Sequence, residues 1–345
     1  MIPLRRADHA EGVPPGIAVC ESKGGTSSVS SAASRPAGLF FILGLVFESL
    51  TCLNGSMKTD TKSLRLIASC PDHVGILARV ATLIAEQGAN ITEANQYEDK
   101  RSSTFFMRYG FDLPTTENPV ESFKSKFAPV AADLQMDWRV TDVDIKPRVV
   151  LLASKFDHCL AYLLHRWKVG ELQVDIPCVI SNHDTLRELV AWFGIPFHHV
   201  PIPKEPEAKK AAFEKTARLI EDSNPDTIVL ARYMQIFPPW LCQKFRHRVI
   251  NIHHSFLPSF IGAKPYHQAD ERGVKLIGAT CHYVTENLDA GPIIEQDVVR
   301  IRHSDSIEDM MRLGKDVENT VLARGLRNHL EDRVLVHGNK TILFE

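Results

Sequence analysis

Arg148-Val149-Val150-Leu151-Leu152-Ala153-Ser154 is a short, unbroken apolar run, and the pattern of the chain changes where it begins. A run of this length, apolar in every position, suits a strand covered on both faces. An amphipathic stretch reaching Trp167 follows and predicts a helix. Strand-like segments recur at residues 174–181, 196–200 and 227–231, and helical stretches at 184–193 and 207–222 lie between them. Short strands alternating with helices predict an α/β architecture, a doubly wound and mostly parallel sheet. Ligands of such sheets bind beyond the carboxyl ends of the strands. Residues 231–235 and 251–253 follow strands in this reading, so both are expected to face that crevice.

Upstream, residues 63–142 form a different unit. Alternation over residues 64–68 reads as a strand, and Ile76, Leu77, Val80, Leu83 and Ile84 mark one face of a helix that Gly88 ends. Residues 90–97 and 104–111 read as a hairpin, followed by a helix over 120–134 and a strand over 137–140. The order βαββαβ is ferredoxin-like. A linker at 144–147 carries Pro147, which divides the working chain into domains 57–143 and 144–345. Residues 1–56 read as a disordered extension or an over-long start ahead of Met57, with organellar targeting as the alternative. Their apolar stretch at 38–47 is shorter than the ~20 residues a membrane span needs.

Composition narrows the function. Forty Lys and Arg against 42 Asp and Glu leave a net charge of −2, without the basic excess that neutralising nucleic-acid phosphates requires. The seven cysteines are scattered, with no C-x-x-C pair, so a disulfide framework or a zinc site is not expected and a reducing, cytoplasmic setting is. No G-x-G-x-x-G follows a strand, so no nucleotide cofactor is expected either.

The chemistry lies in two motifs. Asn251-Ile252-His253-His254-Ser255-Phe256-Leu257-Pro258 supplies an amide and an imidazole, and Leu288-Asp289-Ala290-Gly291-Pro292-Ile293-Ile294 a carboxylate. An amide can hold a developing oxyanion, an imidazole can polarise a carbonyl, and a carboxylate can take a proton from an attacking water or amine. Acyl transfer without a Ser or Cys nucleophile needs that set. The spacing of Asn251, His253 and Asp289 is not that of a zinc cluster. Neighbours on an extended segment point opposite ways, so His254 is expected to be supporting rather than catalytic. Lys264-Pro265-Tyr266-His267 reads as a loop, with Gly262 giving it the mobility to close over the acceptor side.

Residues 63–142, with Asp72-His73-Val74-Gly75-Ile76-Leu77 at the first strand-to-helix entry, resemble the ACT domain family. From Arg148 onward the chain resembles the folate-dependent formyltransferases, through residues 230–236, 251–258 and 282–294 in the family's order. Together the resemblances point to a hydrolytic, ACT-fused branch. They imply 10-formyltetrahydrofolate as a substrate that is consumed, no resident cofactor, and release of tetrahydrofolate and formate. The formate would supply purine synthesis and balance the one-carbon folate pool. They further imply catalytic Asn251, His253 and Asp289, and a folate slot at Met234, Gln235, Ile236, Phe237 and Glu286. His254, Ser255, His282 and Gly262 would support. They also imply an amino-acid effector at the ACT unit and a homo-oligomer.

The chain departs from the pattern at Ser154-Lys155-Phe156-Asp157-His158. Relatives that formylate a phosphorylated ribosyl amine carry a glycine-rich turn there, which cradles phosphate. Bulky Phe156 and anionic Asp157 argue against such an acceptor and leave water as the default. Transfer to another amine, and a folate-binding regulator without turnover, remain the competing readings.

Overall fold

The computed structural model describes residues 61–115, 117–259 and 265–345, so the expectations for residues 1–56 and for Gly262 and Lys264 lie outside it. The first unit runs β1 (Thr61–Pro71), α1 (Ile76–Glu86), β2 (Asn90–Asp99), β3 (Thr104–Pro114), α2 (Pro119–Asp133) and β4 (Asp137–Asp142). Its four strands lie in the order β2-β3-β1-β4, each antiparallel to its neighbour. Leu64, Leu66 and Ala68 alternate along β1 and bury one face against Val80, Ile84, Phe123 and Phe127 of the two helices. On α1 the buried positions are Ile76, Val80 and Ile84; Leu77, expected on that face, is exposed. Gly88 ends the helix at φ 71, where the Gly88 and Ala89 amides cap the carbonyls of Ala85 and Ile84. That pair of bonds satisfies carbonyls the helix leaves open.

Phe123 stacks on Phe127, at 5.6 Å, lies tilted against Phe111, at 4.8 Å, and is fully buried. Phe123→Ala is expected to cost about 3–5 kcal/mol, because the cavity left in an aromatic cluster closes only in part. Urea unfolding of the intact chain would measure the loss.

The second unit runs β5 (Val149–Ala153), α3 (His158–Lys168), β6 (Val179–Ser181), α4 (Arg187–Trp192), β7 (Phe197–His199), α5 (Pro206–Asp222), β8 (Thr227–Ala231), α6 (Pro239–Lys244) and β9 (Val249–His253). It continues through α7 (Pro265–Glu271), β10 (Leu276–Tyr283), β11 (Ile293–Arg300), α8 (Ile307–Leu330), β12 (Val334–His337) and β13 (Lys340–Leu343). The seven-stranded sheet has the order β11-β10-β9-β8-β5-β6-β7. Its five strands from β9 to β7 are parallel, while β10 and β11 run antiparallel at one edge.

Val149, Leu151 and Ala153 of β5 pack against α3 and α8, whereas Val150 and Leu152 pack against α5 and α6. Helices thus cover both faces, as the apolar runs required. The strand expected over 174–181 is shorter than its sequence suggests. Pro177 has no amide hydrogen for the ladder, so regular pairing starts at Val179 and only an isolated bridge joins Arg148 to Asp175.

The two units share a junction of both polar and apolar groups. Buried Asp332, at φ 53, accepts from Arg65 of β1 and Arg139 of β4. Arg108 of β3, only 2% exposed, donates twice to the Glu331 carbonyl and also pairs with Glu93. Ile67 and Phe106, on the face of the small sheet away from α1 and α2, meet Leu335 and Phe344. Residues 331–344, read from the sequence as part of the second domain, therefore also cover the first.

Candidate active site

Alternation along β9 turns Ile250 and Ile252 into the core beside α8, and Asn251 and His253 the other way. Both candidate residues lie within the strand, not after it as the sequence suggested, and His253 is its last residue. Antiparallel β10 sets His282 directly opposite Asn251. Asp289 comes from the β10–β11 connection and stands at φ 54, in the left-handed region that few side chains tolerate. Gly291 holds that connection against β10: an added Cβ would collide with the Tyr283 carbonyl, and the Tyr283 amide donates to the Pro292 carbonyl at 2.9 Å.

Asp289 Oδ2 lies 3.3 Å from His253 Nδ1, and Oδ1 lies 3.7 Å from His282 Nε2. The Asn251 amide nitrogen is 3.2 Å from His282 Nε2, and His282 Nδ1 is 2.9 Å from the Tyr283 carbonyl. A carbonyl only accepts, so Nδ1 carries the His282 proton and Nε2 accepts from Asn251. Burial lowers the His282 pKa and favours this neutral form. His282 thereby fixes which way the Asn251 amide points. His253 Nε2 is buried without a hydrogen-bond partner among the described residues. Burial works to raise the Asp289 pKa, but the His253 hydrogen bond and the imidazole charges outweigh it and hold the carboxyl below its ordinary value.

These groups border a cavity of about 330 Å³. Met234, Gln235, Ile236, Phe237 and Glu286 line it, as the sequence resemblance implied. Met234 and Ile236 are 51% and 62% exposed and so offer apolar surface, while Phe237 belongs mostly to the core. The Met234 amide donates to Ser154 Oγ, which in turn donates to buried Asn182, tying the loop to the end of β5. Glu286 accepts from Gln243.

Two expectations need correction. His254 does not point away from His253: its ring lines the same cavity, 5.3 Å from the His253 ring, because the strand ends at His253 and alternation ends with it. Burial and the Arg232 charge push its pKa down to about 3. Residues 265–267, expected in a loop, open helix α7, where buried Tyr266 donates to Glu318. Ser255, expected to support the site, is not in the cavity lining and donates to the Ser259 carbonyl.

A second buried cluster was not foreseen. Glu318 of α8, 1% exposed, takes His158 at 2.9 Å, Arg232 at 3.3 Å and the Tyr266 hydroxyl at 2.9 Å. Burial works to raise the Glu318 pKa, yet His158 and Arg232 bring it below the usual value and keep it a carboxylate. His158, Cys159 and Glu318 have the proximity of metal ligands, but the Arg232 guanidinium already supplies the cation beside Glu318. The cluster fills the β5–α3 turn with side chains: Arg232 lies 5.2 Å over the Phe156 ring. Its sequence signal was a glutamate between Gly314 and Leu322 on the buried stripe of α8.

The buried imidazoles set an acid limit on stability. Burial also pushes His329 down to about 4, from an ordinary 6.5. Below pH 6.5 the unfolded chain binds protons that folded His254 and His329 refuse, so stability falls with pH until about 4 and 3 are reached. Above that window the two groups add no slope. Between pH 6 and 5 the two are expected to contribute an uptake of about two protons on unfolding. His329→Gln should remove about one of them, as read from unfolding free energy against pH.

Residues 147–326 match the formyl transferase family and residues 64–126 the ACT domain family. Formyltetrahydrofolate deformylase of Bacillus subtilis is 48% identical over 281 residues, covering 81% of this chain and 93% of that one. The chain belongs to the formyltetrahydrofolate deformylase family. The protein of that name from Escherichia coli is 44% identical over 282 residues, 82% of this chain and 98% of its own length. A solved formyltetrahydrofolate deformylase from Pseudomonas syringae superposes with a TM-score of 0.79 at 55% identity, covering 87% of this chain and all of that one. Glycinamide ribonucleotide transformylase 1 of Symbiobacterium toebii matches 58% of the chain, at 28% identity and a TM-score of 0.54. That transformylase thus shares the scaffold over the matched part of the chain.

Proposed function

We propose that the chain hydrolyses 10-formyltetrahydrofolate to tetrahydrofolate and formate, using Asn251, His253 and Asp289. One observation carries the assignment of roles: Asp289 touches His253 through one oxygen, while His282, neutral with Nε2 facing Asn251, leaves the other without a donor. Water attacks the formyl carbon and negative charge grows on the formyl oxygen. The second amide hydrogen of Asn251 and the Nε2–H of protonated His253 donate to that oxygen. Such donors are each worth ~10²–10³ in rate. Asp289 Oδ1 takes a proton from the water. The C–N bond then breaks, the folate nitrogen takes up a proton, and formate departs.

No resident cofactor is required, because these side chains supply both charge stabilisation and proton transfer. The pterin is held between Met234, Ile236 and Phe237, with Gln235 and Glu286 at its polar edge. The filled β5–α3 turn favours water over a phosphorylated amine. The ACT unit binds a small-molecule effector, an amino acid in this reading, and pairs through its sheet edges β2 and β4 into a homo-oligomer. The five described cysteines are free, which suits a reducing cytoplasm. No described helix is long and apolar enough to cross a membrane. The formate would feed purine synthesis, and the recovered tetrahydrofolate would rebalance the one-carbon pool.

The test is to incubate the chain with 10-formyltetrahydrofolate and no amine, and to measure formate. Stoichiometric formate and tetrahydrofolate are expected. Release only after an amine is added would favour transfer, and tight folate binding without turnover would favour a regulator.

A further inference from the structure

Arg232 carries a charge that the reaction scheme above does not use. It stands at φ 61, directly after β8, in a conformation that side chains seldom adopt. Its guanidinium turns away from the folate loop, toward Phe156 and Glu318 on the acceptor side. The side chain is 9% exposed. Its Nε faces Glu318 at 3.3 Å, but its Nη1 is buried with no hydrogen-bond partner among the described residues. No other Lys or Arg is among the described residues that line the cavity. A buried N–H without a partner is costly, so a strained arginine kept in this state points to a partner that arrives with the reaction.

Hydrolysis makes such a partner. A C–O bond forms from water to the formyl carbon, and the C–N bond breaks. The folate nitrogen gains one proton of the water and the other leaves to solvent, so the product is the formate anion. Its new oxygen comes from the water. Asp289 is already an anion in the same cavity and repels that product. His254, held neutral, adds no positive charge. The charge of protonated His253 is set against Asp289, so Arg232 is the cation left for the product, and Glu318 balances it until formate forms.

We infer that Arg232, steadied by Glu318, is a formate subsite, with Nη1–H donating to the water-derived oxygen. This deepens the hydrolytic reading and rests on it.

The experiment uses the full chain, tetrahydrofolate and ¹³C-formate, with binding followed by NMR and inhibition by initial rates. Formate is expected to bind the tetrahydrofolate complex saturably and to inhibit hydrolysis. Arg232→Lys, and the charge-balanced Arg232→Met with Glu318→Gln, should weaken both effects by about tenfold or more, the usual worth of a charge-assisted hydrogen bond. Tetrahydrofolate affinity should stay within about twofold, since the guanidinium faces away from the folate loop. The absence of saturable formate binding in the unaltered chain, or equal formate constants in all three proteins, would overturn the subsite. If the double variant fails to hold tetrahydrofolate, the unaltered chain and Arg232→Lys decide. Turnover with no response to formate sinks the subsite alone; no turnover in the unaltered chain sinks the hydrolytic reading itself.

Discussion

Asp289→Asn is expected to lower kcat for hydrolysis by ~10²–10⁴, the range in which a positioned proton acceptor contributes. The substitution keeps the size of the side chain and, through its amide oxygen, the hydrogen bond from His253 Nδ1, 3.3 Å away in the unaltered chain. It removes the oxygen that can accept a proton from water. Folate affinity should change little, because Asn keeps the size of the side chain, the apolar slot is built from the 234–237 loop, and Glu286 on the same connection is untouched. The measurement is kcat and KM for formate release, with tetrahydrofolate binding in parallel. A variant within threefold of the parent, by the same rate scale, would remove Asp289 from the proton path. The acid side of the profile gives a second reading. The Asp289 pKa lies below its ordinary value of 3.8, so the carboxylate form is retained through neutral pH and is lost only as pH falls through that lowered pKa.

Asn251→Ala carries the second-largest effect, a loss of ~10²–10³ in kcat with KM nearly unchanged, since the amide acts on charge present mainly in the transition state. His282→Ala is the informative companion. His282 does not reach the formyl oxygen in this scheme; it accepts one Asn251 hydrogen at 3.2 Å and so aims the other. Its removal should cost less than the loss of the amide. In the double variant the two losses should fail to add, because one residue acts through the other. Full additivity would mean that His282 has a separate role.

The proposed catalytic set was legible as a grouping because each member lies within a few residues of a turn or a strand end, where local pattern is informative. Asn251, His253 and Asp289 meet as that pattern implied. Glu318 stood out on the buried stripe of α8, but its pairing with Arg232 was illegible for the opposite reason. Nothing local distinguishes an arginine after a strand from a surface residue, and its partner lies on a helix that only the fold brings near. Asp332 with Arg65, separated by 267 positions, is a still longer reach. Where the reading overran, Pro177 was the cause: it stops the ladder, although the apolar run continues through it. His254 was misdirected because alternation was extended one residue past the end of β9.

The contact of Ile67 and Phe106 with Leu335 and Phe344 bears on how the chain is made. An N-terminal domain generally settles while later segments are still being synthesised. Here the helical face of the small sheet can close as soon as residues up to 142 exist, but its other face stays bare until residues 331–344 emerge. For most of translation, two buried apolar side chains and Arg108 of the ACT unit therefore wait in water for partners more than two hundred positions downstream. The nascent chain is most exposed to misassociation in that interval, and the β12–β13 hairpin then seals the far face of the small sheet.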